Sequence, residues 1–201
     1  MYTYLHKNIK RFHIHGYAVE SSDRDPGLAG GLLTMIKSDL SYSGLPNPTS
    51  LEALVIRVKL QSRSIIIVNI YHAPGISFDE TAYRQLMRKY NQDVVILRDL
   101  NAYSPLFGAS RTDTKGRARE DLNDENNLVV LNTGVGTYVR SDGSTSHLDV
   151  AMASNNIAQI ASWLVHSDTL VSDHLPVFIS LQDPAVVDNT LLPQWAYRTA
   201  R

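Results

Sequence analysis

Short runs of apolar and β-branched residues, separated by turn residues, recur along most of the chain. Residues 64–71 are nearly continuous in isoleucine and valine, and residues 51–60 partly alternate between charged and apolar side chains. With the turn at 61–63 between them, the two segments predict a β-hairpin whose second strand is buried on both faces. Residues 41–50 contain three serines, two prolines and a glycine, which predicts a loop. Further short strands are predicted at residues 16–19, 32–36, 94–97, 129–131, 137–139, 148–152, 163–165 and 175–181.

Helical periodicity is confined to two segments. Apolar and aromatic residues recur at spacings of three, four and seven in residues 79–90, with Ser77 or Asp79 as the N-cap. Residues 115–126 form a second, more polar helix. Many short strands with only two helices predict an α/β protein dominated by mixed or antiparallel sheets, whose apolar faces the helices help to cover.

Composition and charge are those of a globular protein with one main domain. The chain has 201 residues, of which 43% are hydrophobic and 19% charged, and its formal charge of -1 does not mark a basic nucleic-acid-binding module. It has no cysteine, which excludes thiol catalysis and zinc-thiolate sites and fits a reducing compartment. No apolar run reaches the roughly 18 residues needed to cross a bilayer, and no signal segment is evident, so we expect an intracellular protein without a membrane partner. We expect one domain over residues 1–182 and a tail or linker over 183–201.

Three polar clusters lie at the ends or starts of predicted strands. They contain Asp99 and Asn101, then Asp149, then Asp173 and His174. Each cluster alone has a plain structural interpretation, such as an Asx-turn or a capped turn. Carboxylates, an amide and an imidazole together are the groups that metal-assisted hydrolysis at phosphorus requires, and their oxygen ligands suit Mg²⁺. Asp149 is the most informative, because a carboxylate in an otherwise apolar strand needs a partner and a histidine is a natural one.

Five sequence strings, in this order, carry a family resemblance. NIYHAPG, VVILRDLNAYSPLFG, TKGRAREDLNDENNLVVLNTG, TYVRSDGSTSHLDVAMAS and TLVSDHLPVFISL resemble the endonuclease/exonuclease/phosphatase superfamily. More narrowly, they are similar to the apurinic-type endonuclease domain of arthropod non-LTR retrotransposons, over about residues 16 to 182. The resemblance implies a four-layer sandwich of two mixed β-sheets flanked by helices. Residues 191–201 also look like the linker that precedes a reverse transcriptase in such elements.

The resemblance implies a Mg²⁺-dependent endonuclease, with Mn²⁺ as an alternative ion, that nicks DNA and leaves a 3′-hydroxyl to prime reverse transcription. The implied partners are DNA and a downstream reverse transcriptase domain, and the location is the nucleus if the domain is active. Asp99 would then orient or activate the attacking water, while Asn101 and Tyr71 would contact the scissile phosphate.

The remaining implied roles belong to the second and third clusters. Asp149 would pair with His174, which would bind the phosphate or act on the proton, and Asp173 would lie at the metal side of the cleft. The cation and the donors would offset charge on the pentavalent transition state.

Two departures from the family pattern bear on activity. The N-terminal strands that carry an Asn and a metal-binding Glu in the family have no match here, so we expect an N-terminally truncated member with impaired activity. The family's Gly before the catalytic Asp is Arg98 here, which would pair with Asp99 and weaken cation binding, or point away from it. Two alternatives stay open: an inactive remnant that binds nucleic acid or protein, and a superfamily phosphatase acting on a small phosphoester.

Overall fold

A six-stranded mixed β-sheet organises the protein. The structure is a computed structural model that describes residues 14–23, 31–72, 77–99, 102–169 and 172–182. In their order across the central sheet, the strands are β3 (Ser41–Leu45), β4 (Ala53–Lys59), β5 (Ser64–Tyr71), β6 (Val94–Asp99), β10 (Asp149–Ser154) and β7 (Leu128–Val130).

The predicted hairpin forms the middle of this sheet, where β4 and β5 pair antiparallel. Helix α1 (Glu80–Lys89) connects β5 to β6, and this crossover makes β5 and β6 parallel. The Asp79 side chain caps α1 by accepting a hydrogen bond of 2.9 Å from the Ala82 amide. A second helix, α2 (Thr114–Glu125), lies between β6 and β7, and β10 then pairs antiparallel with both of those strands.

The two faces of the central sheet are covered differently. One face carries the largest apolar cluster, in which Val68 and Ile96 of the sheet pack with Leu86 of α1 and Leu122 of α2. The other face is covered by two separate two-stranded ladders. These are β1 (Tyr17–Asp23) with β2 (Gly31–Lys37), and β11 (Ala161–Val165) with β12 (Val177–Leu181).

Apolar side chains fix each ladder on the sheet. Leu32 and Ile36 of β2 pack against Leu54, Ile56 and Val58 of β4. Residues of β12 pack instead beside Val95 and Ala153 of the sheet, together with a short helix, α3 (Asn155–Ala158). The predicted fold class is therefore confirmed as a mixed α/β fold with a central mixed sheet flanked by helices.

The loop prediction for residues 41–50 is wrong in its first half. Residues 41–45 form the edge strand β3, which pairs with β4 from Ser41 opposite Lys59 to Leu45 opposite Val55. An edge strand tolerates serine and glycine because one of its sides faces solvent, and half-buried Tyr42 and Leu45 supply its packing. Within the described residues, no helix is both long and apolar enough to cross a membrane. The expected tail at 183–201 lies outside the described residues.

Candidate active site

Three side chains that the sequence singled out stand in one row across the central sheet. Tyr71 ends β5 opposite Asp99, the last residue of β6, and Asp99 in turn lies opposite Asp149, the first residue of β10. Residues directly opposite each other on paired strands point to the same face. Val95, Leu97 and Asp99 are two residues apart along β6 and therefore point to the same face of the sheet. This face is the one that the two ladders cover.

Two carboxylates and an imidazole converge where these central strands end. Possible ligand atoms of Asp99, Asp149 and His174 all lie within 4.8 Å of one another. Nδ1 of His174 lies 2.8 Å from Oδ2 of Asp149. Asp99 is buried, with 7% of its surface exposed, and the other two are half-buried. Partial exclusion of water strengthens each electrostatic interaction among the three groups.

The remaining site candidates stand differently. Asp173 is exposed next to His174 and is not part of the three-residue cluster found among the described residues. Asn101 lies outside the described residues. The roles that the resemblance implies for these residues and for Tyr71 stay predictions.

The protonation of His174 follows from its surroundings. Burial is the largest single influence and lowers the pKa of the imidazole. The hydrogen bond that His174 donates to Asp149 and the negative charges of Asp149, Asp99 and Asp173 act in the opposite direction and together raise the pKa above its usual 6.5. Compared with a free histidine, the site therefore favours the imidazolium form, in which both ring nitrogens donate hydrogen bonds.

A buried threonine that the sequence interpretation missed holds the two halves of the site together. Oγ1 of Thr137 accepts a hydrogen bond of 3.1 Å from the Asp149 amide, and its carbonyl accepts one of 2.7 Å from the Leu175 amide. Thr137 precedes β8 (Tyr138–Val139), which pairs with β9 (Thr145–Ser146), and the Tyr138 ring meets His174 edge-on at 5.0 Å between centroids. Thr137 thus fixes the backbone at Asp149 and next to His174 through hydrogen bonds to main-chain amides.

Arg98 does not pair with Asp99. Alternation along β6 turns Arg98 onto the helix-covered face, where its Nη2 donates to Oδ1 of Asn123 at 3.2 Å. The sequence left open whether Arg98 pairs with Asp99 or points away, and the structure shows the second arrangement. Any repulsion between Arg98 and a cation at Asp99 would therefore act across the sheet and not by direct contact.

An exposed basic rim begins close to the site. Nη2 of Arg140 donates to the Tyr103 hydroxyl at 3.3 Å, and the guanidinium of Arg111 lies 5.4 Å from the centre of the same ring. Both arginines are exposed, and Arg140 stands two residues after the tyrosine that packs on His174. Exposed guanidinium groups arranged around an aromatic ring suit contact with a phosphate backbone.

The loop that carries this rim is fastened to the start of α2. The Asp113 carboxylate accepts hydrogen bonds from the amides of Gly116, at 2.6 Å, and Tyr103, at 3.3 Å. A Cβ on Gly116 would lie only 1.9 Å from the carbonyl oxygen of Tyr103, so no larger residue fits there without movement. The close approach of helix and loop therefore depends on this glycine.

The donor set fits a divalent cation of the Mg²⁺ type. Mg²⁺ is commonly held by one or two carboxylates, with water and substrate phosphate completing its coordination. Asp99 and Asp149 supply such carboxylates within one cluster. His174 fits poorly as a ligand, because ligation requires a neutral imidazole and the pKa of His174 is raised.

Comparisons with known proteins place this arrangement in context. A family model described as endonuclease-reverse transcriptase matches residues 65–178. No curated protein matches the sequence significantly. Among solved structures, the endonuclease domain of TRAS1, a telomere-specific non-LTR retrotransposon, is similar with a TM-score of 0.75 and 20% identity, covering 85% of this chain and 82% of that one.

Two further structures share the fold. The AP endonuclease LMAP from Leishmania major has a TM-score of 0.70 and 14% identity, with 85% of this chain and 72% of that one covered. A mannosyl-6-phosphatase from Bacteroides thetaiotaomicron has a TM-score of 0.56 and 12% identity, with 85% and 78% covered. At these identities the likeness establishes the fold, and nucleases and phosphatases both use it.

Proposed function

This chain belongs to the endonuclease-reverse transcriptase family of the endonuclease/exonuclease/phosphatase superfamily, and from that membership we propose that it is a Mg²⁺-dependent DNA endonuclease domain of a non-LTR retrotransposon. The observation that carries the proposal is the convergence of Asp99, Asp149 and His174 within 4.8 Å, with the two carboxylates on paired strands of the central sheet. A nick with a free 3′-hydroxyl would prime reverse transcription by a polymerase domain of the parent element. Such a reaction would take place in the nucleus.

The proposed division of labour follows from charge and hydrogen bonding. When bound, Mg²⁺ supplies positive charge against a phosphate oxygen. Asp99 and Asp149 would hold the cation, and Asp99 would also orient the attacking water. Asp149 keeps His174 in place through Nδ1, so the imidazolium can donate from Nε2 to the phosphate. Asn101 and Tyr71 position the phosphate.

The basic rim gives the domain a means to hold DNA. Arg111 and Arg140 would neutralise backbone phosphates on either side of Tyr103. Because the formal charge of the whole chain is -1, attraction to DNA depends on such local groups. Asp173, exposed beside His174, would lie at the metal side of the same cleft.

Nicking of supercoiled plasmid at millimolar Mg²⁺ tests the proposal. We expect nicking by the wild-type chain that EDTA abolishes, and loss of at least about 100-fold in Asp99→Asn and His174→Ala, as for removal of one transition-state donor. Asp39→Asn, in an exposed turn, is the matched control and should nick at the wild-type rate. DNA binding without nicking would instead support an inactive remnant, and hydrolysis of a small phosphomonoester without nicking would support a phosphatase.

A further inference from the structure

Two arginines lie buried on the helix-covered face of the central sheet, opposite the candidate active site. Arg98 of β6 is 4% exposed and Arg119 of α2 is 1% exposed. A buried charge is costly unless an opposite charge or a set of hydrogen-bond acceptors compensates it. Two neighbouring buried cations double that requirement.

The surroundings of the two guanidinium groups are neutral. The Arg98 guanidinium lies 5.1 Å from the centre of the Tyr83 ring, and that of Arg119 lies 4.9 Å from the centre of the Phe78 ring. Among the described residues, Nη2 of Arg98 contacts Oδ1 of Asn123 and the sulfur of Met152, the latter at 3.5 Å. No described carboxylate lies within ion-pair distance of either arginine.

Several donors of this cluster have no acceptor in the described part of the chain. These are Nε and Nη1 of Arg98, all three guanidinium nitrogens of Arg119, and Nδ2 of Asn123. The hydroxyl of the fully buried Tyr83 also has no hydrogen-bond partner there. Cation–π contacts are weak individually and replace none of these hydrogen bonds.

The guanidinium group is not deprotonated in proteins, so both arginines carry their charge at neutral pH. Burial and then the charge of Arg98 lower the pKa of Arg119 to about 10, while Asp113 and Asp99 act in the opposite direction from a greater distance. Burial also lowers the pKa of Arg98. Deprotonation therefore does not relieve the excess of positive charge at pH 7.

We propose that Arg98, Arg119, Tyr83 and Asn123 form a buried binding site for a small tetrahedral oxyanion, inorganic phosphate or sulfate. Planar guanidinium forks match the paired oxygens of such an anion, and a charge near -2 balances both cations. The phenol and the amide add neutral donors. Because the two arginines are only 4% and 1% exposed, the ligand that we propose is a small inorganic anion and not a nucleic-acid phosphate.

Thermal unfolding in sodium sulfate, against sodium chloride at equal ionic strength, tests the proposal. We expect the Tm of the wild-type chain to rise with the logarithm of sulfate concentration, by about 5–10 °C at 100 times Kd for a chain of this size. Arg119→Met and Arg98→Met should lose this response. In chloride alone they should be at least as stable as wild type, because a well-packed apolar group replaces an uncompensated charge.

Matched variants separate this site from other effects of sulfate. Arg117→Met changes an exposed arginine of the same helix and should keep the full response. Exclusion of sulfate from protein surfaces would raise the Tm of all variants alike, and that result would overturn the proposal. His174→Ala should also keep the response; a response lost there and retained in Arg119→Met would place the anion at the candidate active site and refute the inference.

Binding stoichiometry provides a readout that does not depend on stability. Equilibrium dialysis with radiolabelled sulfate should find one high-affinity ion per chain, lost in both arginine variants. If the methionine variants do not fold, Arg98→Lys and Arg119→Lys keep the charge and lose the fork, and their sulfate affinity should fall at least tenfold. Unchanged affinity in the lysine variants would refute the site.

Discussion

Replacing Asp149 by Asn tests the electrostatic account of the candidate active site. The amide has nearly the shape of the carboxylate and can still accept a hydrogen bond from Nδ1 of His174, now 2.8 Å from Oδ2. The substitution therefore removes a charge while retaining the geometry. Because the Asp149 hydrogen bond and charge are the largest influences that raise the pKa of His174, that pKa should fall in Asp149→Asn.

The expected loss of activity follows from the strength of the interaction. A hydrogen bond to a charged group contributes about 1.5–3 kcal/mol, which corresponds to about 10- to 150-fold in rate if it acts fully in the transition state. The side chains of His174 and Asp149 are 20% and 27% exposed, so solvent weakens the pair and favours the lower end of the range. We expect a loss of about 10-fold in plasmid nicking at neutral pH and saturating Mg²⁺, and a larger loss at limiting Mg²⁺, because the amide is also a poorer cation ligand than the carboxylate.

The same pair makes stability depend on pH in a defined direction. A raised pKa in the folded state means that the stabilisation by His174 is fully present below 6.5, the value of an unperturbed histidine. It is lost as pH rises through the higher pKa of the folded protein. The difference in unfolding free energy between wild type and Asp149→Asn should therefore be larger at pH 6 than at pH 9.

Two measurements can refute this reasoning. NMR titration of the His174 ring, assigned by comparison with His174→Ala, should give a wild-type pKa above 6.5 and a lower one in Asp149→Asn. Urea unfolding at several pH values gives the stability difference. A wild-type pKa at or below that of a free histidine, or an identical pKa in the variant, would show that burial and not Asp149 governs the imidazole.

Two further predictions concern the loop and rim beside the site. Gly116→Ala should destabilise the protein by about 2 kcal/mol, a Tm loss of about 4–8 °C, because the new Cβ would meet the Tyr103 carbonyl. The control variant Gly44→Ala should change the Tm little, because the nearest neighbour of its Cβ lies 3.9 Å away. Equal Tm values for the two variants would contradict the close packing at Gly116. The double variant Arg111→Ala/Arg140→Ala should weaken DNA binding uniformly across DNA sequences, as measured by fluorescence anisotropy. The slope of log affinity against log salt should become shallower by about 2, at about 0.9 per lost phosphate contact. An unchanged slope would show that the two arginines do not contact DNA.

The parts of the fold that the sequence predicted well are those with strong local signals. β5 runs over Ser64–Tyr71 as the β-branched run indicates, and α1 over Glu80–Lys89 lies within the predicted 79–90. Both combine a clear period with turn residues or a cap at their ends. β3 was missed because it is a largely exposed edge strand that contains serine and glycine, and polar edge strands resemble loops in composition.

The candidate site divides in the same way. Asp99, Asp149 and His174 could be selected because polar and charged residues at the ends of apolar strands are unusual. The order of the five family-like sequence strings then indicated that the three residues belong to one site. Thr137 could not, because its importance lies in hydrogen bonds to two segments that are distant in sequence. The burial of Arg119 has no sequence signal either, since arginine within a polar helix ordinarily faces solvent.

Arg98 and Asp99 are neighbours on β6 that face opposite sides of the sheet, so the candidate cation site and the proposed anion site share one strand. The charge of Asp99 acts to raise the pKa of Arg119 against burial, so we expect charges on the two sides of the sheet to influence each other. An oxyanion beside the arginines would offset their repulsion of a cation at Asp99.

We therefore expect Mn²⁺, as a spectroscopic probe for Mg²⁺, to bind about fivefold more tightly in sulfate than in chloride of equal ionic strength, at the low end of coupling between sites. Linkage requires Mn²⁺ to tighten sulfate binding by the same factor, and Arg119→Met should abolish both effects. Equal Mn²⁺ affinity in the two salts, measured by electron paramagnetic resonance on the wild-type chain, would mean that the sheet insulates the two sites from each other.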